Sequence, residues 1–222
     1  MMNANPENKI KCVILGGGGH TKGLIDALRA SASPWEVVGI LDPDAAKQEG
    51  SILGLPVLGD DGLLAELCRQ GVTHFIVGLG GAGDTRPRAR LYDLGVGLGM
   101  RALSVLHPTA YISPFAELGE GVQVFPRAVV MPGARLGDNV IVNTSAIVEH
   151  DCAVGRHAHV SSGAHLAGSV TVGAGAHIGI GSVVRQGISI GDYALVGAGA
   201  VVVKDIPAGQ TVVGNPSNPI RK

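Results

Sequence analysis

The sequence predicts a small Rossmann-like α/β domain followed by an all-β parallel β-helix, on three observations. Residues 11–108 alternate short apolar runs with amphipathic stretches, the pattern of a small parallel sheet flanked by helices. From Ala110 the chain divides into sixes without an insertion, as in a coil built of short strands and turns. The 35 glycines accompany an aromatic content of only 3%, so the interior must pack small residues regularly where most proteins bury rings. The two halves divide as 1–108 and 109–222.

In the first half, Cys12 to Leu15 is an apolar strand ending in Gly16-Gly17-Gly18-Gly19. A helix follows over His20 to Arg29, with Leu24, Ile25 and Leu28 at helical spacing. Glu36 to Asp42 reads as the second strand, Leu63 to Cys68 as a helix, and Phe75 to Val77 as a strand followed by a loop containing Gly78, Gly80, Gly81 and Gly83. Arg88 to Gly95 is a further helix and Leu103 to Leu106 a last strand, before His107-Pro108 breaks the pattern.

In the second half, sixteen hexads run from Ala110 to Asp205. Their third position is always Ile, Leu or Val, and their first is small or aliphatic, mostly Ala. This pattern resembles the left-handed β-helix acyltransferases. In that fold three hexads make one triangular coil, so residues 18 apart stack at about the 4.8 Å spacing of neighbouring strands. The aliphatic column would fill a narrow prism, with Gly, Asn and Asp at tight corners that favour φ > 0. The end coils need covering; the α/β domain at one end and the tail VVGNPSNPIRK at the other are the candidates.

Composition excludes several classes. A net charge of −1 without a dense basic run gives no reason to expect nucleic acid or an anionic membrane surface as partner. No run of about 18 apolar residues exists for a membrane span, and MMNANPENK lacks a signal pattern. Cys12, Cys68 and Cys152 are odd in number and form no CxxC pair, which argues against a disulfide framework or a zinc knuckle and fits the cytoplasm. Small molecules are the expected partners.

Both halves together, with NTSAIVEHDCAVGRHAHV in the coil, resemble the bacterial nucleotide-amino-sugar N-acetyltransferases and the related sialic acid O-acetyltransferase family, from about Lys11 to Ile220. The resemblance implies a homotrimer with active sites between subunits. Acetyl-CoA would be the co-substrate, with no metal, and the acceptor the amino group (or hydroxyl) of a nucleotide-linked sugar such as a UDP-4-amino-4,6-dideoxy sugar. It implies His150 of EHDC as general base and Asp151 as the residue raising its basicity, although close relatives often carry Glu there. It further implies His159, Ile180 and Ala198 as contacts to acetyl-CoA, Asn143, seven residues before the base, as a further site residue, and Gly18, Gly19, His20, Asp42, Pro43 and Gly80 as contacts to the nucleotide sugar.

The residues support parts of this chemistry on their own. An amine attacks a thioester only when neutral, so the reaction needs a base, and imidazole titrates near neutral pH. Adjacent side chains in extended chain point to opposite sides, so alternation alone leaves both Asp151 and Glu149 open as partner of His150; resemblance favours Asp151. His159 and His177 are 18 apart and should stack on one face. His150 lies half a coil from His159, so the two would meet only across neighbouring prisms. His157, His165 and His177 are expected as exposed polar residues. GGGGHTKG has Thr21 where the dinucleotide fingerprint requires its third glycine, yet a glycine loop between strand and helix still offers N–H groups to an anion. A plain tight turn is the alternative there.

A zinc hydro-lyase resembling the γ-class carbonic anhydrases is the rival enzyme, although the histidine spacings do not reproduce that ligand pattern. A non-catalytic sugar-sensing scaffold is the rival from outside catalysis. Cys152 falls in the first hexad column and should point inward, away from any role as an acyl carrier.

Overall fold

The computed structural model describes residues 10–31, 35–48 and 50–220. The polar start and the final Arg221-Lys222 of the tail lie outside the described residues. The first domain is a sheet with β1 (Ile10–Leu15), β2 (Trp35–Leu41), β3 (Ser51–Ile52), β4 (Leu55–Gly59), β5 (His74–Val77) and β6 (Arg101–Ala102), ordered β3-β4-β2-β1-β5-β6. Helices α1 (Gly19–Ala30), α2 (Leu64–Arg69) and α3 (Arg86–Gly97) connect them. All pairings are parallel except the β3–β4 hairpin, which no sequence signal had indicated between Asp42 and Leu63. Val13, Leu15, Phe75 and Val77 pack against Leu64 and Leu91 on one face, and Ile14, Ile40 and Ile76 against Leu24 and Ile25 on the other.

The expected strand over 103–106 is divided. Arg101–Ala102 pairs with β5, whereas Val105–Leu106 pairs with Gln123–Val124 and opens the coiled half. The physical reason is in the frame: SVLHPT, residues 104–109, is one more hexad with Leu106 at its third position.

The second half is a left-handed parallel β-helix. Among the described residues its strands form three stacks of eight, six and five. The first stack runs from Val105–Leu106 through Gln123, Ile141, His159, His177 and Leu195 with an 18-residue register. The third-position aliphatics and first-position alanines, from Ala128 and Val130 to Ala200 and Val202, are fully buried in the prism, each large aliphatic contributing about 1.5–3 kcal/mol. The sixth position of every hexad from Gly121 to Gly199 has φ between 53° and 73°. This left-handed corner explains the Gly, Asn, Asp and Ser there. The tail caps the prism by adding Thr211–Val213 to the first stack and folding Asn218–Pro219 antiparallel onto it. The α/β domain, expected at one end, instead lies along the side of the first stack, reaching from Gln123 to Gly175. The polar column of that stack supplies its hydrogen-bonding surface.

Candidate active site

The glycine loop is shaped from both sides. Gly16, at φ +99°, donates its N–H to Leu41 at 2.7 Å, and the buried Thr21 hydroxyl donates to the carbonyls of Gly16 and Gly78 at 2.6 and 3.0 Å. Thr21 thus ties the loop to the end of β5, where a third glycine would offer no such bond. A Cβ on Gly18 or Gly19 would meet nothing within 4 Å, so packing does not require glycine at either position. Gly18 caps α1 without a side-chain hydrogen bond, and the first turn carries no acid. Open space before a helix N-terminus suits an anionic group.

Asp42, 5% exposed, accepts Gly17 N–H at 2.6 Å, Asp44 N–H at 3.0 Å and the Lys47 ammonium at 3.1 Å. Burial opposes its ionisation, but the Asp44 and Gly17 amides and Lys47 together hold its carboxyl below the usual range. It thereby fixes the glycine loop. Pro43 beside it is exposed.

Where the domain meets the prism, His20 Nε2 contacts Gln123 Oε1 at 2.7 Å while Gln123 Nε2 donates to Val77 at 2.8 Å. The second bond identifies Oε1 as an acceptor, so His20 carries its proton on Nε2 and presents Nδ1 toward Gly80. Burial, then the Arg88 charge, push the His20 pKa down to about 4. Arg88 is wholly buried and donates to the carbonyls of Asn139 at 3.0 and 3.1 Å and of Leu79 at 2.7 Å.

His157 and His177 are not the exposed residues expected; they are 4% and 9% exposed. His157 contacts Asn139 at 3.0 Å and sits edge-on to Tyr92, 5.4 Å between centroids. His177 bonds Ser161 at 3.2 Å. The docked α/β domain covers both, which hexad position cannot reveal. His165 is exposed, as expected. His159 is 5% exposed and its Nε2 is engaged by Asn143 at 3.1 Å.

At the corner after Ile147–Val148, His150 stands exposed with Nδ1 2.9 Å from Asp151 Oδ2. The left-handed φ of Asp151, 59°, turns its side chain to the same side as its neighbour's, removing the difficulty that strand alternation posed. Glu149 instead accepts the His150 backbone N–H at 3.3 Å. Gly133 and Gly168 lie under the dyad: a Cβ on Gly133 would strike the Asp151 carboxylate, and one on Gly168 would come within 2.5 Å of the imidazole. Cys152 is fully buried, with its thiol directed to the Ala167 carbonyl at 3.2 Å. Ile180 and Ala198 stack one coil apart at the corner after the first stack, both exposed. A Cβ on the neighbouring Gly163, Gly181 or Gly199 would meet nothing within 4 Å.

Residues 11–93 match the family model described as the PglD N-terminal domain. A histidine-to-asparagine mutant of the perosamine N-acetyltransferase of Caulobacter crescentus, solved with CoA and GDP-perosamine, is 38% identical with a TM-score of 0.89, the match covering 96% of this chain and 97% of that one. The chain belongs to the nucleotide-amino-sugar N-acetyltransferases. The acetyltransferase domain of PglB from Neisseria gonorrhoeae, solved with acetyl coenzyme A, is 38% identical with a TM-score of 0.86, covering 96% of this N-acetyltransferase and all of that chain (100%). WeeI from Acinetobacter baumannii is 25% identical, TM-score 0.73, over 94% of this chain and 99% of that one. No curated protein sequence matches.

Among the described residues of this N-acetyltransferase, no three His, Cys, Asp or Glu side chains gather as a metal site would require, and no helix is long and apolar enough to cross a membrane. Sequence reasoning missed Gln123, Asn139 and Arg88. Gln123 was accessible, because it shares the 18-residue column of His159 and His177. Arg88 was not, because between Arg86 and Arg90 at the start of a helix it looks solvated.

Proposed function

We propose that the chain transfers acetyl from acetyl-CoA to the amino group of a nucleotide-linked amino sugar, as the GDP-perosamine and acetyl coenzyme A complexes of its relatives suggest. The observation that carries the assignment of roles is the exposed His150–Asp151 dyad. With Nδ1–H held by the carboxylate, Nε2 is free to accept a proton from the attacking amine. The nitrogen lone pair forms the C–N bond, the tetrahedral oxyanion collapses, the C–S bond breaks, and CoA leaves as the thiol after taking up the proton. Direct attack needs no acyl-enzyme.

Gly18, Gly19 and the amides around them would take the diphosphate, with Asp42 holding that loop in shape and Pro43, His20 and Gly80 at its rim. Ile180 and Ala198 would line the coenzyme along their corner. That corner and the His150 corner flank opposite edges of the second stack, whose outer face exposes Tyr111, His165 and Val183 beside the partly buried Val129, Ile147 and Val201. A face that is apolar apart from His165 supports a homotrimer that joins one protomer's base to its neighbour's coenzyme groove. Free thiols at Cys12, Cys68 and Cys152 suit a cytoplasmic enzyme.

The test is thiol release from acetyl-CoA with GDP-perosamine and with a UDP-4-amino-4,6-dideoxy sugar. His150→Ala should lower kcat by about 10²–10⁴-fold while sedimentation still reports the trimer. Unchanged turnover overturns the base, and a wild-type monomer overturns the shared site.

A further inference from the structure

The buried polar ladder on the first stack contains a hydrogen-bonded order that its residue types alone do not show. The backbone N–H of Thr144 donates to Asn143 Oδ1 at 2.8 Å. A backbone amide can only donate, so this contact decides which end of the Asn143 side chain is the oxygen. Nδ2 therefore faces His159 Nε2, at 3.1 Å, and the ring nitrogen must be the acceptor. The proton of the neutral imidazole then lies on Nδ1. That atom is buried without a hydrogen bond of regular geometry, although the backbone of Gly80 interacts with the ring in the sense that favours a bound proton. One coil later His177 repeats the arrangement with Ser161 and Gly81, its ring edge-on to His159 at 5.0 Å.

The hydrogen-bonding capacity of Asn143 is then mostly used. Oδ1 takes the Thr144 amide and, at 3.5 Å, its hydroxyl; one Nδ2–H goes to His159. The second Nδ2–H has no partner among the described residues. Asn143 is partly exposed at the fourth position of its hexad, one residue before the corner column Thr144, Ser162, Ile180 and Ala198. Two coils separate it from Ile180, about 10 Å along the prism. An extended thiol arm lying on Ile180 and Ala198 and running down the corner would bring its end to Asn143.

We propose that His159 is a positioning residue: its neutral Nε2 holds the Asn143 amide so that the second Nδ2–H points at the thioester carbonyl oxygen, where negative charge develops during acetyl transfer. This rests on the acetyl-transfer reading above. Asn143 only donates a hydrogen bond; the proton lost by the amine goes to His150. The arrangement requires an unprotonated Nε2, because an N–H there would face another N–H. Burial first, then the charges of His177, His20 and Arg88, hold His159 well below the ordinary histidine range. The buried Arg88 guanidinium has carbonyl partners and, among the described residues, no carboxylate to neutralise it. Because Gly80 belongs to the loop after β5, the ladder also joins the nucleotide-sugar domain to the acetyl group.

The test uses the full-length protein with acetyl-CoA and GDP-perosamine. His159→Ala and Asn143→Ala should each lower kcat about 10–100-fold with KM for acetyl-CoA nearly unchanged, and the double variant should be no worse than either single one. His159→Gln, which restores an acceptor, should recover most of kcat, and melting curves separate these effects from misfolding. In 15N spectra of histidine-labelled protein, His159 should show a bare Nε2 and a protonated Nδ1. Additive losses, a raised KM at unchanged kcat, or an Nε2–H tautomer overturns the proposal while leaving acetyl transfer intact. A wild-type enzyme that binds acetyl-CoA but acetylates no nucleotide amino sugar overturns the parent reading as well.

Discussion

At the scale of single residues, Asp151 shows how a backbone angle selects a chemical partner. Its φ of 59° brings the carboxylate to His150, while Glu149 is left on the backbone amide. Asparagine tolerates the same conformation and keeps an oxygen for Nδ1–H, but lacks the charge that stabilises an imidazolium. Asp151→Asn should therefore lower kcat about tenfold with an unchanged melting temperature, whereas equal kcat would mean that the carboxylate charge is irrelevant. The sequence named His150 and Asp151 through a resemblance, and strand alternation could not choose between Asp151 and Glu149. The periodic Gly, Asn, Asp and Ser at the sixth hexad position held the missing information, since a residue there turns out of strand geometry.

At the scale of the coil, stacking places His150 directly over Gly168, 18 residues on in the same corner column. The φ of Gly168 is not left-handed, so alanine is allowed by the backbone but its methyl would occupy the imidazole's position. Gly168→Ala should lower kcat about tenfold or more while circular dichroism and melting stay as in wild type. An unaffected kcat would show that the ring has another productive position. The hexad frame made this column readable in advance, because each strand pairs with the one 18 residues away and no distant segment intervenes. The β3–β4 hairpin was illegible for the opposite reason. Its first strand has only two residues and its second, Leu55–Gly59, carries a proline, and they form by adding to the edge of a sheet already built by β1 and β2.

At the scale of the molecule, docking the α/β domain along the prism buries His20 and His157 in part or whole and depresses both to about 4, burial being the larger cause in each. The unfolded chain binds protons at these rings near pH 6.5, so between pH 6.5 and about 4 it holds more protons than the folded one. Stability then rises with pH across that window and is lost on acidification, each unit of depression being worth about 1.4 kcal/mol. For a ring as buried as His157 the loss is up to about 3 kcal/mol. Denaturant titrations from pH 6.5 to 4 should show this slope, and His157→Asn, compatible with the left-handed corner at φ 61°, should flatten it. An equally steep slope in the variant would place the titration elsewhere.

Local repetition in the chain was enough to specify the prism, its 18-residue columns and the inward aliphatic row, because those depend on contacts a fixed distance apart in sequence. The main strands and helices of the first half followed from periodicity in the same way, but the β3–β4 hairpin and the division of the strand expected over 103–106 did not. The fate of the histidines did not, since hexad position says which face a side chain occupies and not what covers that face. Docking of the α/β domain buried His157, His159 and His177 and left His150 and His165 in the open. It also created the internal Arg88, whose partners are carbonyls of Leu79 and Asn139, one nine residues away and the other in the opposite domain.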